Sequence, residues 1–88
     1  AEGDAFAALL RRFRAARRMS QLELALSCEI SARHLSFLET GRAKPSREMV
    51  LQIAEGLVLP LGSQNALLQA AGFAAVFPAS PLESEALG

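Results

Sequence analysis

Residues 20–42 read SQLELALSCEISARHLSFLETGR, and the reading of this stretch decides the fold. Ser20 and Glu23 have the S-x-x-E spacing of a capping box. In such a box the serine hydroxyl and the glutamate carboxylate each accept a backbone N–H that a first helical turn leaves unpaired. Met19, just before the cap, stands at the staple position. Leu24, Ala25 and Cys28 then share one face of a short helix. Glu29-Ile30 turns the chain, and Ser31 caps a second helix over 32–39. Leu35 and Leu38, three apart, give that helix a buried side and leave Ala32, Arg33, His34, Ser36 and Phe37 facing outward. Thr40-Gly41 ends it, with glycine able to take the left-handed conformation.

The flanks continue the helical pattern. Phe6, Leu9, Leu10 and Phe13 follow i, i+3, i+4, i+7, which predicts a helix over 4–17 capped by Asp4. Beyond Gly41 comes a basic loop with Arg42, Lys44 and Arg47. Lys44-Pro45 biases the chain away from helix, and Ser46 caps a fourth helix over 47–57. Met49, Val50, Ile53, Ala54 and Leu57 make its inner face. Pro60 breaks the chain before a fifth helix over 61–71, with Leu61, Leu67, Leu68 and Ala71 inward and Gly72 as its stop. Residues 1–76 therefore form one domain. Residues 77–88, with two prolines and two acids, read as a tail or linker.

Composition agrees with an all-α domain. The 88 residues are 51% apolar, without Trp or Tyr, enough for one small core. Ala and Leu dominate, and both favour helix. The single Cys28 excludes an internal disulfide and a cysteine zinc cluster. No signal peptide, lipidation motif or long apolar run is visible, so a soluble cytoplasmic protein with no membrane partner is expected. The formal net charge is zero, but its distribution is lopsided. Residues 11–47 hold nine basic and three acidic side chains, nine minus three giving +6; the remainder has six acids and no bases, giving −6. Such asymmetry marks a surface that faces an anion.

Two short helices joined by a tight turn, the second with a polar outer face, suit the major groove of DNA, which admits one helix braced by a neighbour. Over residues 10–59 the chain resembles the helix-turn-helix domain of the lambda repressor/Cro, or xenobiotic-response-element, family. The matching residues are Arg14, Ser20-Gln21, Leu24-Ala25, Ile30-Ser31, Leu35-Ser36, Leu38-Glu39, Gly41-Arg42, Pro45 and Ile53-Ala54. The phrases ARHLSFLETGRAKPSREMVLQIAEGL and NALLQAAGFA further resemble the MmyB-like regulators, in which a ligand-sensing domain follows; any such domain would lie beyond Gly88, and its effector is unknown.

The resemblance implies a compact five-helix, lambda-repressor-like fold and double-stranded DNA as partner. It implies that Ala32, Arg33 and Phe37 read base edges, with Arg33 paired to guanine and Ala32 and Phe37 against thymine methyls. His34, on the same outer face, is a DNA contact or merely solvated. Gln21 would bond a phosphate at the helix N-terminus, and Thr40, Arg42, Lys44 and Arg47 would hold the backbone. Arg14 and Glu39 match a buried salt bridge of the family. Two copies would sit on a near-palindromic operator as a homodimer on DNA. One position departs: the turn usually carries Gly where this chain has Glu29, and a left-handed Glu29 would cost about 1–2 kcal/mol.

Blander readings stand beside these. Cys28 is a small core residue, Arg11, Arg12, Arg17 and Arg18 are a solvated face or phosphate contacts, and Phe37 is core or reader. Leu22 and Leu26 form an extra apolar edge expected to pack under the fifth helix or the 73–77 segment, with a partner surface as the other use. No catalytic set, metal-ligand spacing or phosphate-binding loop is visible, so neither enzyme activity nor a cofactor is expected. The competing function is a helical protein-interaction module, adaptor or antitoxin-like, without a DNA role.

Overall fold

The computed structural model describes the backbone of residues 2–74 and the side chains of residues 5–74; the expected tail at 77–88 lies outside the described residues. Five helices follow one another: α1 (Glu2–Ala16), α2 (Gln21–Cys28), α3 (Ala32–Glu39), α4 (Arg47–Gly56) and α5 (Leu61–Ala70). The described residues contain no strand. None of these helices is long and apolar enough to cross a membrane.

Each helix packs mainly on two others. α1 meets α3 and α5, α2 meets α3 and α4, and α4 meets α5. The contacts close a circuit: α1, α3, α2, α4, α5 and back to α1. Its centre is filled by Phe6, Leu10, Leu24, Leu35, Leu38, Ile53, Leu57, Leu67 and Leu68, all buried. Such a side chain contributes about 1.5–3 kcal/mol when taken from water. Two expectations are corrected here. α1 begins at Glu2, so Asp4 lies within its first turns rather than at its cap. Leu61, read as inward, is 45% exposed, because it stands at the first position of α5.

The helix ends share one device. The residues after the five helices that take positive φ are Arg18, Glu29, Gly41, Val58 and Gly72. At each end the N–H of the following residue reaches back five positions to a carbonyl: Met19 to Arg14 at 3.2 Å, Ile30 to Ala25 at 3.0 Å, Arg42 to Phe37 at 2.9 Å, Leu59 to Ala54 at 3.0 Å and Phe73 to Leu68 at 2.8 Å. This is the Schellman arrangement, in which a left-handed residue lets the chain cap its own last carbonyls. Met19, Ile30, Leu59 and Phe73 then pack against the core. At the end of α3 the same position is Arg42, which is exposed.

Three of these left-handed residues are not glycine. Val58 is the costliest, since a β-branched side chain crowds the following carbonyl. It is 75% exposed and packs little in return. Val58→Gly is expected to raise stability by about 1 kcal/mol, the strain relief exceeding the entropy glycine adds to the unfolded chain. For a domain of this size the thermal midpoint rises by about 4–8 °C. Val58→Ala keeps most of the strain and serves as the control. A midpoint lowered in the glycine variant would contradict this account.

Where α4 ends against α2 there is no room for a side chain. A Cβ on Gly56 would meet Cys28 Sγ at 2.7 Å and the Cys28 and Ser27 backbone at 3.4 Å. Gln52 of α4 donates its amide to the Cys28 carbonyl at the same crossing. Gly56→Ala is expected to cost about 1–3 kcal/mol by forcing the two helices apart. Adding Cys28→Ala removes the sulfur and restores part of that loss, which urea titration of the single and double variants checks. Burial pushes the Cys28 thiol up to about 11, so it stays protonated and unreactive at neutral pH.

Candidate nucleic-acid interface

The pair α2–α3 is fixed at both starts and at the turn between. Ser20 Oγ accepts the Glu23 N–H at 3.0 Å, and Glu23 Oε1 accepts the Ser20 N–H at 2.7 Å, which completes the capping box. Glu29 turns the chain with φ 60° and ψ 42°, the left-handed conformation that its sequence position called for. Ser31 Oγ then accepts the His34 N–H at 3.0 Å and starts α3. Leu35, Leu38 and Glu39 turn inward, all buried.

Glu39 is the buried charge of the described residues, 1% exposed. Arg14 answers it with two parallel bonds: Nε donates to Oε2 at 2.6 Å and Nη2 to Oε1 at 3.0 Å. The remaining Arg14 nitrogen donates to the Met19 carbonyl at 2.9 Å. Gln21 Nε2 donates to Glu39 Oε1 at 2.8 Å, and Arg11 donates to the Glu39 main-chain carbonyl. One carboxylate thereby ties α1 and the start of α2 to the end of α3. A bidentate, multiply bonded pair of this kind fixes orientation as well as charge.

Two contributors to this cluster were not legible in the sequence. Arg11 lies three residues before Arg14, on the same side of α1, and that spacing was the available signal. The family resemblance marks Gln21 only as a phosphate contact. Its amide nitrogen already gives one proton to Glu39, so only its second amide proton and its main-chain N–H remain to meet an anion. Thr40 is similarly engaged, its hydroxyl donating to the Ser36 carbonyl at 3.0 Å. It reaches a phosphate as donor only by giving up that bond.

The outer face of α3 carries the remaining expected residues. Ala32 and Arg33 are exposed; His34, Ser36 and Phe37 are half-buried. Phe37 is thus neither in the core nor fully outward. Arg42, Lys44 and Arg47 are exposed along the rim beyond α3. Among the described residues no carboxylate pairs with Arg33 or with these three. The acids gather elsewhere. Glu29, Glu48 and Glu55 line a groove between the end of α2 and α4, and no α3 residue lines it. Not every basic residue belongs to the α3 rim: Arg17 donates to the Val58 carbonyl at 2.6 Å and pins the α4–α5 connection. Leu22 and Leu26 do not pack under α5; they are 59% and 70% exposed, because both point off the side of α2 that faces the circuit, and residues 75–77 of the other expected cover lie outside the described residues.

The profile of a helix-turn-helix domain family matches residues 5–73, which includes all but the first three residues of α1 and the whole of the other four helices. The chain belongs to the helix-turn-helix domain family. This helix-turn-helix domain is 39% identical over 64 residues to the uncharacterized HTH-type transcriptional regulators Rv0023 of Mycobacterium tuberculosis and Mb0023 of Mycobacterium bovis. The match covers 73% of the chain and 25% of either relative, so the chain spans about a quarter of the length of the curated proteins it matches. The crystal structure of the clp gene regulator ClgR from C. glutamicum superposes with a TM-score of 0.70 at 31% identity, covering 81% of this chain and 88% of that one. The circuit of five helices in this helix-turn-helix domain is therefore a fold shared with a solved gene regulator.

Proposed function

We propose that this helix-turn-helix domain binds duplex DNA as the reading head of a transcription regulator, with α3 in the major groove. The observation that carries the reading is the outer face of α3, where exposed Ala32 and Arg33 are rimmed by Arg42, Lys44 and Arg47 with no carboxylate paired to them among the described residues. Arg33 reads guanine through its two parallel donors, and Ala32 offers apolar contact to a thymine methyl. His34, half-buried one residue on, contributes a lesser contact. Arg42, Lys44 and Arg47 hold phosphates and set the register, aided by the main-chain N–H of Gln21 at the start of α2. The relatives named as transcriptional regulators, and the resemblance to the MmyB-like subgroup, support a regulator that works in the cytoplasm.

Two copies occupy a near-palindromic operator, their half-site centres about 34–36 Å apart. With these three cationic phosphate contacts per copy, the log–log salt slope is about −3 for each. Selection of bound duplexes from a random pool, followed by titration of the winners against salt, tests the reading. A recurrent half-site with that slope supports it; retention of no duplex at low salt rejects it. The exposure of Leu22 and Leu26 favours a second reading, a protein-binding edge on α2. That reading takes precedence if duplex binding fails while Leu22→Ser and Leu26→Ser abolish capture of a partner protein.

A further inference from the structure

Two guanidinium groups share the ring of Phe37. Arg33 Cζ lies over it, 5.6 Å from the centroid, and Arg42 Cζ lies over it at 5.9 Å. Both distances fall where a cation is drawn to an aromatic face. The two arginines arrive by different routes. Arg33 precedes Phe37 by four residues on α3 and so lies on the same helix face. Arg42 is returned to the ring by the main chain, because the Phe37 carbonyl accepts the N–H groups of Arg42 at 2.9 Å and of Ala43 at 3.2 Å. One residue therefore places one arginine through its side chain and the other through both its side chain and its carbonyl.

The ring is half-buried, and the two guanidinium groups lie over it. Two like charges gathered at one ring repel each other unless something compensates. The negative face of the ring offsets part of the repulsion. Among the described residues no carboxylate supplies the rest, which leaves an incoming anion to do so.

We propose that Phe37 is a positioning residue: its ring holds Arg33, the base reader, and Arg42, the phosphate anchor, as one coupled pair, and does not itself read a thymine methyl. The inference rests on the DNA-binding reading above, so its test has one arm without DNA. In the free protein, NMR is expected to show the δ-methylene protons of Arg33 and Arg42 shifted upfield by the ring current. The shift disappears in Phe37→Leu and persists in Phe37→Tyr, and circular dichroism checks that both variants fold. On a selected duplex, Arg33→Ala and Arg42→Ala are expected to be non-additive by about 2- to 5-fold in Kd, and additive when Phe37→Leu is also present. Phe37→Leu alone lowers discrimination at the base read by Arg33 by about the same factor, and Phe37→Tyr restores it.

Thymine-to-uracil replacement across the site separates the alternatives, because it removes methyl groups and leaves the arginines untouched. A loss of the same size in the native protein and in Phe37→Leu, the part owed to Ala32, supports positioning. A loss in the native protein that disappears in Phe37→Leu makes Phe37 a methyl reader and overturns the proposal, as does additivity in the native protein. Absent ring-current shifts overturn it without touching the DNA reading. Present shifts with no duplex selected overturn the DNA reading and the coupled role together, leaving only the geometry.

Discussion

Replacing Arg14 with Met lowers the free energy of unfolding by about 3–5 kcal/mol, the cost of stranding one member of a buried ion pair. Glu39 is 1% exposed and would be left with Gln21 as its side-chain partner. Arg14 itself retains 22% exposure, so water reaches part of the pair and the lower end of that range is expected. A native chain of this length has about 4–13 kcal/mol in total. A loss of about 3 kcal/mol then leaves about 1–10 kcal/mol, which brings a domain at the lower end of that range close to unfolding at room temperature. Arg14→Met combined with Glu39→Met recovers most of the loss, because well-packed apolar groups of similar volume replace a buried pair at little cost. Urea titration of the single and double variants reads both effects. A single-variant loss below about 1 kcal/mol would show that the pair fixes the α1–α3 angle without holding the fold.

The second large effect concerns DNA. Arg33→Ala is expected to cost about 1–3 kcal/mol on the selected duplex and to relax preference at one base pair, with the salt slope nearly unchanged. Arg42→Ala weakens every sequence, the matched one by no more than about 2- to 5-fold extra through its coupling to Arg33, and flattens the slope by about one. The two variants differ because a base edge carries sequence and a phosphate carries only charge. Titrations of each against matched and mismatched duplexes at several salt concentrations check the contrast. Identical profiles for the two would remove the division between reader and anchor.

The helices were legible because apolar spacing repeats with the helical period, and because Ser20, Ser31 and Ser46 each cap a helix by accepting an N–H three residues on. The stops were harder to read. Gly41 and Gly72 announce themselves, and Glu29 stands where the resembled family carries Gly, whereas Arg18 and Val58 take the left-handed conformation because burial of the next apolar residue rewards it. That reward is tertiary and leaves little local signal. Asp4 was misread for a related reason: acids favour both the cap and the first turn. At the site, the Arg14–Glu39 pair came from a resemblance across many positions. The partners of Gln21 and Arg11 depend on where α1 crosses α3, which no spacing encodes. The meeting of Arg42 with Phe37 follows from a main-chain reversal. A sequence pattern confined to α3 therefore finds Arg33 and misses its companion.

The closed circuit of helix contacts has a kinetic corollary. α3 lies between α1 and α2, so it cannot swing out as a flap without loosening both, and Glu39 would have to leave its partners as it went. The amides of its bonded core, Leu35 and Leu38, should exchange with solvent deuterium only through global unfolding, as slowly as those at the centre of α4. A groove-reading element that opened locally would present many shapes to DNA. One that opens only with the whole domain presents a single shape, and the time it spends rigid is set by the unfolding rate.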